Sequence, residues 1–583
     1  MLSGIITTET VEAATEQFDK LCVLLKFDKK MEKTSENENA SEDDNGDSYV
    51  DGDENDNDDN DDDEEELRSC LHYAGKYFTQ YAMKAVLHGV RYISRRTMFE
   101  RFLWGILTLA FVLICLTQIF KLYSRLNRYP VVITFGSETI HIYEIPFPAV
   151  TICPRTKIRK EAFNYEEVHK KIEENQNLTE QEATIYEYVH AICKCHVRHD
   201  VNHTYNKIHF SDDFFDTIDH LTIDPSDLFV RCVWIRTSMN CSEIFTRVFT
   251  DEGICYSFNV LDKTHIFRDY INLPKDSFIG HNKDYDWNIE TGYTKDMNYK
   301  TYPRRVLNSG HEEGLELTLG LFSEDFDFAC GSFLQGFKVI VHSPNEVPQG
   351  NDNFFRISPG HGLDGAIRPR FILTSSSIGQ YQPQARNCYM GTEKPLKYFK
   401  QYTQSNCKLE CASNYTLLRC ECVAHYMPRT KDIPICGTAN LYCAELAQDE
   451  LDFLEIENNL KTNTSDLGFC GCLPSCTELS YIMEISRIPA YLKESLSNNE
   501  NSTIKHLTQL NIYFKVGYFS QFIRFQALST LTLIAKVGGL LGLYTGASII
   551  TVVEFLYYWT GRPICNKFLF NRWSGRKPLK LTK

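Results

Sequence analysis

The chain has 583 residues, 43% of them hydrophobic, with 61 Lys and Arg against 77 Asp and Glu, a formal net charge of -16. Such a length can bury the cores of several ordinary domains. The acidity is local: 16 Asp/Glu and no Lys or Arg lie between Glu42 and Glu66, and removing them from 77 leaves 61, the Lys+Arg count. The rest of the chain is therefore neutral, which excludes a bulk-charge argument for any partner, and no nucleic-acid partner is expected.

Residues 1–83 read as a cytosolic tail with an acidic run, 42–66, whose "DGDENDNDDNDDDEEE" has nothing apolar to bury and is expected to be disordered. It lacks the Gly and terminal Glu of an EF-hand loop, so a solvated tail is preferred to a cation site. Residues 84–101 carry Lys84, Arg91, Arg95, Arg96 and Arg101 and lead into the uncharged stretch 102–120, "FLWGILTLAFVLICLTQIF". Nineteen residues at about 1.5 Å each match the thickness of a hydrocarbon core. About a hundred residues precede this stretch and no small-residue cleavage site follows, so it reads as a span and not a leader. "YPVVITFGSETIHIYEIPFPAVTICP" then reads as strands, and the charged region from Arg159 to about His196 as helix. Short strand-like runs fill about 225–375, "GFKVIVHS" being the clearest. From Cys388 to Cys476 ten cysteines fall within 89 residues, with "QDELDFLEIENNLK" helical between them. "LNIYFKVGYFSQFIRFQ" reads as one strand returning to the membrane, followed by a second apolar span over 528–559 and a basic tail, 560–583.

Positive flanks on both spans place both termini in the cytosol, a multi-pass plasma-membrane topology with residues 121–527 outside. Seventeen of the 21 cysteines lie in that loop, as do six Asn-x-Ser/Thr acceptors at Asn177, Asn202, Asn240, Asn414, Asn463 and Asn501. Dense cysteine outside the cell implies disulfides. Cys193-Lys194-Cys195-His196 and Cys420-Glu421-Cys422 with His425 could hold zinc, but C-x-C spacing suits a tetrahedral site poorly, and disulfides are the preferred reading. No metal, cofactor or catalytic residue is expected. No phosphate loop, nucleophile elbow or H-E-x-x-H helix occurs in the sequence, so an enzyme is not indicated.

The second span is unusual. Gly538, Gly542 and Gly546 give G-x3-G-x3-G, a smooth strip on one face if the segment is a single helix. Close helix packing accounts for such a strip, and so does lining an axis shared by several copies, where carbonyls and the Ser548 hydroxyl would replace an ion's water. Glu554 favours the axis, because an intramembrane carboxylate should face an aqueous path or a partner. One such span per subunit cannot enclose a pore, so a ring of subunits is required.

Taken together, "HG" at His88-Gly89, "FPAVTIC" from Phe147, "CKLEC" from Cys407, "CECVAHYMP" from Cys420, "CGCLPSC" from Cys470 and "GLYTGAS" from Gly542 resemble the degenerin/epithelial sodium channel family. The likeness runs from Lys84 to Tyr558 and is strongest to its insect pickpocket branch. It implies an α+β membrane protein: two transmembrane helices flanking a disulfide-rich ectodomain of palm, knuckle, finger, β-ball and thumb, assembled as a homo- or heterotrimer. The implied activity is a sodium-selective, amiloride-sensitive channel opened by a mechanical or chemical stimulus, with Na⁺ as the permeant ion. By the same resemblance the filter is Gly546-Ala547-Ser548, amiloride binds at Gly542, and gating involves Ala535, Lys536, His88 and Gly89. The implied disulfides are Cys153–Cys255, Cys232–Cys241, Cys388–Cys476, Cys407–Cys472, Cys411–Cys470, Cys420–Cys443 and Cys422–Cys436. Cys193, Cys195 and Cys330 remain, an odd number open to a free thiol or an intersubunit link.

A two-span adhesion or receptor protein is the rival class, an ATP-gated channel a more distant one, and an ectoenzyme lacks any supporting constellation. Lys536 stands where acid-sensing relatives carry an acid. Three ammoniums about 8 Å apart at an effective dielectric near 40 repel by roughly 1 kcal/mol per pair. Either Lys536 points away from the axis, or the channel is a heteromer; the heteromer is the favoured expectation.

Overall fold

A computed structural model describes residues 81–82, 87, 89–95, 97–193, 207–280, 285–294, 301–330, 334–350, 353–461, 469–490 and 505–570. The acidic run, His88, Cys195, Asn202, Asn463, Asn501 and the basic residues from 571 onward lie outside them. The chain divides into two units, Met1–Arg128 with Leu528–Lys583, and Tyr129–Ala527.

The smaller unit opens with α1 (Val90–Arg95) and α2 (Met98–Arg128). At 31 residues α2 extends past the apolar stretch 102–120 on both sides, and among the described residues it is the one helix long and apolar enough by itself to cross a membrane.

The larger unit is built on an eight-stranded sheet and a five-stranded one. Its elements begin with β1 (Val131–His141) and β2 (Ala149–Pro154), on the segment read as strands. The charged region then folds as α3 (Tyr165–Glu173) and α4 (Glu180–Cys193). Asn164 caps α3, and Asn175 turns the chain at φ 57°, a left-handed value that Asn tolerates. Thr179 and Glu182 form a reciprocal capping box that starts α4. After α5 (Asp213–Leu221) come β3 (Phe229–Trp234), β4 (Thr237–Met239), β5 (Phe245–Thr250) and β6 (Gly253–Phe258). Next are β7 (Leu315–Phe322), β8 (Phe337–His342), β9 (Phe354–Ile357) and β10 (His361–Thr374). Helices α6 (Gln404–Cys420) and α7 (Thr438–Lys461) precede β11 (Glu478–Pro489), β12 (Lys505–Phe514) and β13 (Tyr518–Gln526).

The large sheet runs β1-β13-β10-β12-β7-β3-β4, with β11 on β10. Its core face follows from alternation: Leu315, Leu317, Leu319 and Leu321 of β7 are all buried. Phe147, Trp234 and Phe514 meet edge to face there, at centroid distances of 5.0 and 5.4 Å from Phe147. The smaller sheet runs β9-β8-β2-β6-β5. Every residue of β2 and β6 is buried, because both faces are covered and alternation disappears.

The last strand expectation is corrected. "LNIYFKVGYFSQFIRFQ" is two strands, β12 and β13, both parallel to β10 but on successive parts of it. The interruption coincides with Pro369 in β10, which has no N–H to give a neighbour. On the other edge β11 pairs without a break, Pro369 opposite Tyr481.

Two polar features lie inside this unit. The Glu252 carboxylate is buried and receives Arg155 at 3.1 Å, Lys157 at 3.1 Å and Lys338 at 2.8 Å. His342 lies 2.8 Å from the Thr151 hydroxyl and donates from Nδ1 to the Ser343 carbonyl at 2.9 Å. Burial pushes its pKa down to about 4.

Among the described residues eight disulfides are present. Seven are the pairs implied by the family resemblance: Cys153–Cys255, Cys232–Cys241, Cys388–Cys476, Cys407–Cys472, Cys411–Cys470, Cys420–Cys443 and Cys422–Cys436. The eighth, Cys193–Cys330, joins two of the three cysteines left over, spanning 137 residues of sequence. Cys193, Cys420 and Cys422 are thus disulfide-bonded and not zinc thiolates. The stapled region holds a helix the sequence did not reveal. Cys407 and Cys411 fall at i and i+4 on α6, so one face meets Cys472 and Cys470 together.

The chain then returns to the smaller unit through α8 (Thr530–Thr545), α9 (Ile549–Leu556), a π turn at Tyr557–Gly561 and α10 (Arg562–Phe570). The second apolar segment is therefore not one helix over 528–559. It is a pair bent by 73° at residues 546–548.

Candidate functional site

The break falls on the three residues expected to form the filter, and local chemistry accounts for it. Ser529 opens α8 by accepting the Thr532 N–H. The helix ends because Gly546 takes φ +68°, a backbone conformation natural to glycine. Its N–H donates to the Gly542 carbonyl at 3.0 Å. Thr545 fastens the corner, donating to Leu541 O at 2.7 Å and accepting the Ala547 N–H at 3.3 Å. Helix α9 starts at once: Ser548 Oγ accepts the Thr551 N–H at 3.3 Å while Thr551 Oγ1 accepts the Ser548 N–H at 3.1 Å.

Gly546-Ala547-Ser548 is thus a short non-helical stretch held by a cap on either side. The last carbonyls of α8 have no following turn to receive them, and they carry the negative end of its dipole, about half an elementary charge. In the Ser548–Thr551 box the Thr551 N–H of α9 and the N–H of the cap residue Ser548 are engaged. The expectation of a three-glycine strip on one helix is overturned, since Gly546 is the cap that ends the helix. Gly538 and Gly542 remain on α8 with Gly539. A Cβ added at Gly538 or Gly539 would meet nothing within 4 Å, and one at Gly542 only the Ala547 carbonyl at 3.8 Å.

Other expected residues are dispersed. Ala535 and Lys536 are exposed on α8. Glu554 is half-buried on α9, one turn beyond the buried Thr551. Asn177, Asn240 and Asn414 are exposed, and Asn240 caps a short helix by accepting the Ser242 N–H.

Gly89 is buried and takes φ +88°. A Cβ there would come within 2.2 Å of Thr108 Cγ2 on α2. Thr108 cannot easily yield, because its hydroxyl bonds the Trp104 and Gly105 carbonyls at 2.8 and 3.1 Å. Beside it Tyr92 stacks on Trp104 at 4.7 Å. Sequence reasoning did not find Tyr81, whose ring contacts Phe555 at 5.7 Å and Tyr558 at 5.6 Å. Nor did it find Thr551, although Ser548-x-x-Thr551 is a cap-like spacing. It also missed Lys121 and Arg125, which share a groove with Lys536.

The model of the family described as "Amiloride-sensitive sodium channel" matches residues 81–558. Pickpocket protein 28 of Drosophila melanogaster is 26% identical over 512 residues, covering 83% of this chain and 78% of the relative. Pickpocket protein 11 of the same fly is 22% identical, covering 84% and 77%. Acid-sensing ion channel 1A of Danio rerio is 26% identical, covering 82% and 86%.

Proposed function

The chain belongs to the amiloride-sensitive sodium channel family, one of ion channels and not of enzymes, and on that premise we propose that it is a subunit of a trimeric, sodium-selective, amiloride-sensitive channel of the plasma membrane. The observation that carries this reading is the capped break at Gly546-Ala547-Ser548. Three copies around an axis would turn the α8 carbonyl ends toward one aqueous path, where fixed carbonyl dipoles replace the water around Na⁺. Because the Ser548 hydroxyl is engaged in capping, the backbone carbonyls are the ion ligands of choice in this reading. Gly542 receives amiloride one turn before the break, Ala535 lies at the gate, and Glu554 faces the path beyond the filter. His88-Gly89 couples the cytosolic segment to α2. Both termini are cytosolic, α2 and the bent α8–α9 pair cross the bilayer, and the larger unit lies outside as the sensory domain for a mechanical or chemical stimulus. Asn177, Asn202, Asn240, Asn414, Asn463 and Asn501 carry its glycans.

The trimer assembles with related subunits, and a heteromer answers the repulsion that three Lys536 ammoniums would create at the axis. Lys536 also lies beside Lys121 and Arg125 of its own chain, which supports the alternative that it points off the axis. Expression alone and with related subunits in a cell lacking such channels tests the proposal. Inward current that reverses near the Na⁺ potential and is blocked by amiloride is expected. Surface-delivered protein with no such current under force, acid or osmotic change would refute it.

A further inference from the structure

Helices α2 and α8 enclose an open groove of about 670 Å³. On α2 the lining residues include Lys121, Leu122 and Arg125, and on α8 Lys536, Leu540 and Leu543. Within α8 the spacing is i, i+4, i+7, and Lys121 and Arg125 are one turn apart, so each helix presents a single stripe to the groove. The charges are unopposed along both helices: the sole acid of α2 is Glu100, roughly 30 Å down the helix from Lys121, and α8 contains none. Lys121, Arg125 and Lys536 are exposed, and Leu543 is 79% exposed on a helix of the apolar segment.

Polarity is ordered along the groove. The chain leaves α2 shortly after Arg125 and enters α8 shortly before Lys536, so all three cations lie toward the helix ends that join the large unit. Leu540 and Leu543 follow on α8 toward the Gly546 break. A ligand that fits has a compact anion at one end and an apolar chain at the other.

We propose that this groove binds an acidic phospholipid, its phosphate against Lys121, Arg125 and Lys536 and an acyl chain along Leu122, Leu540 and Leu543. The site rests on the reading of α2 and α8 as membrane-embedded. It also gives Lys536 a role other than an obstacle to Na⁺, since a bound phosphate neutralises part of its charge beside the helix that carries the filter. An exposed ion pair with the lipid phosphate contributes up to about 1 kcal/mol, roughly fivefold in affinity, so three together contribute roughly a hundredfold.

The test uses the full-length channel in nanodiscs of phosphatidylcholine with an equal fraction of phosphatidylglycerol, and native mass spectrometry of the lipid retained. Preferential retention of phosphatidylglycerol is expected, falling roughly a hundredfold in Lys121→Gln/Arg125→Gln/Lys536→Gln. Lys536→Arg, which keeps the charge, should retain it. Should the triple variant fold poorly, the single variants Lys536→Gln and Arg125→Gln should each lose about fivefold. Equal retention of both lipids, as expected if a neighbouring copy or solvent fills the groove, overturns the proposal. So does unchanged preference in well-folded charge-removed variants. Flotation of the protein with vesicles distinguishes the two levels: a protein that does not float refutes the membrane reading itself, whereas one that floats without lipid preference refutes only this site.

Discussion

Replacing Gly89 by Ala should damage the channel by two separable routes. The first is conformational: φ +88° is a region in which a side chain costs on the order of 1–3 kcal/mol. The second is steric: the new Cβ would lie 2.2 Å from Thr108 Cγ2, and overpacking of this kind costs about 1–3 kcal/mol. The Thr108 methyl cannot rotate away while its hydroxyl is tied to Trp104 O and Gly105 O. The sum, about 2–6 kcal/mol, is comparable with the whole stability of many domains. It should detach the pre-span segment from α2 and lower open probability, surface delivery or both. Thr108→Ser separates the routes, since it removes the methyl and keeps the hydroxyl. The double variant Gly89→Ala/Thr108→Ser should recover the steric part, a coupling of about 1–3 kcal/mol, and leave the φ penalty. The assay is a double-mutant cycle on detergent-solubilised melting temperature and on amiloride-blocked current per surface-labelled channel. If Thr108→Ser gives no recovery in either readout, Gly89 does not pack on α2 as described and the reasoning fails.

Gly546→Ala should cost about 1–2 kcal/mol at φ +68° and shift the Na⁺/K⁺ permeability ratio, while Ser548→Ala should loosen the α9 start by about 1 kcal/mol; an unchanged reversal potential in conducting forms of both would remove the break from the filter. Glu252→Gln leaves Arg155, Lys157 and Lys338 without their buried carboxylate and should destabilise the larger unit by about 3–5 kcal/mol, read as intracellular retention and a lower melting temperature; full maturation would show that the cluster is not held by that charge. His342 gives a pH dependence: its folded pKa near 4 lies below the ordinary 6.5, so its stabilising contribution is complete above about pH 6.5 and is lost as pH falls toward 4. The loss should approach 3 kcal/mol, on the order of 1.4 kcal/mol per pH unit, and His342→Gln should flatten that part of the melting-temperature profile; an identical profile would exclude this residue.

Local patterns carried much of this fold. An uncharged run marked α2, β-branched runs marked β1 and β2, and the charged stretch after Arg159 became α3 and α4 with its own Asn and Thr caps. Helix α6 was hidden because its buried residues are Asn406, Cys407, Leu409, Glu410, Ser413, Thr416 and Cys420, among which Leu409 is the one aliphatic side chain, so no apolar period shows. The chain also showed Gly546 and Ser548, but an unbroken apolar composition masked the corner they make. Its bend depends on a glycine dihedral and reciprocal caps, which hydropathy does not register.

What tertiary structure alone decided involves residues distant in sequence. Cys193 meets Cys330 across 137 residues, a pairing that leftover cysteines left open. The break between β12 and β13 coincides with Pro369 of β10, a strand distant in sequence that pairs with both. Lys536 joins Lys121 and Arg125 because α8 packs on α2, although more than 400 residues separate them. Periodicity and caps act within a turn or a strand, where the backbone fixes which side chains are neighbours. Convergence across a fold depends on which faces pack together, and a one-dimensional pattern does not contain that choice.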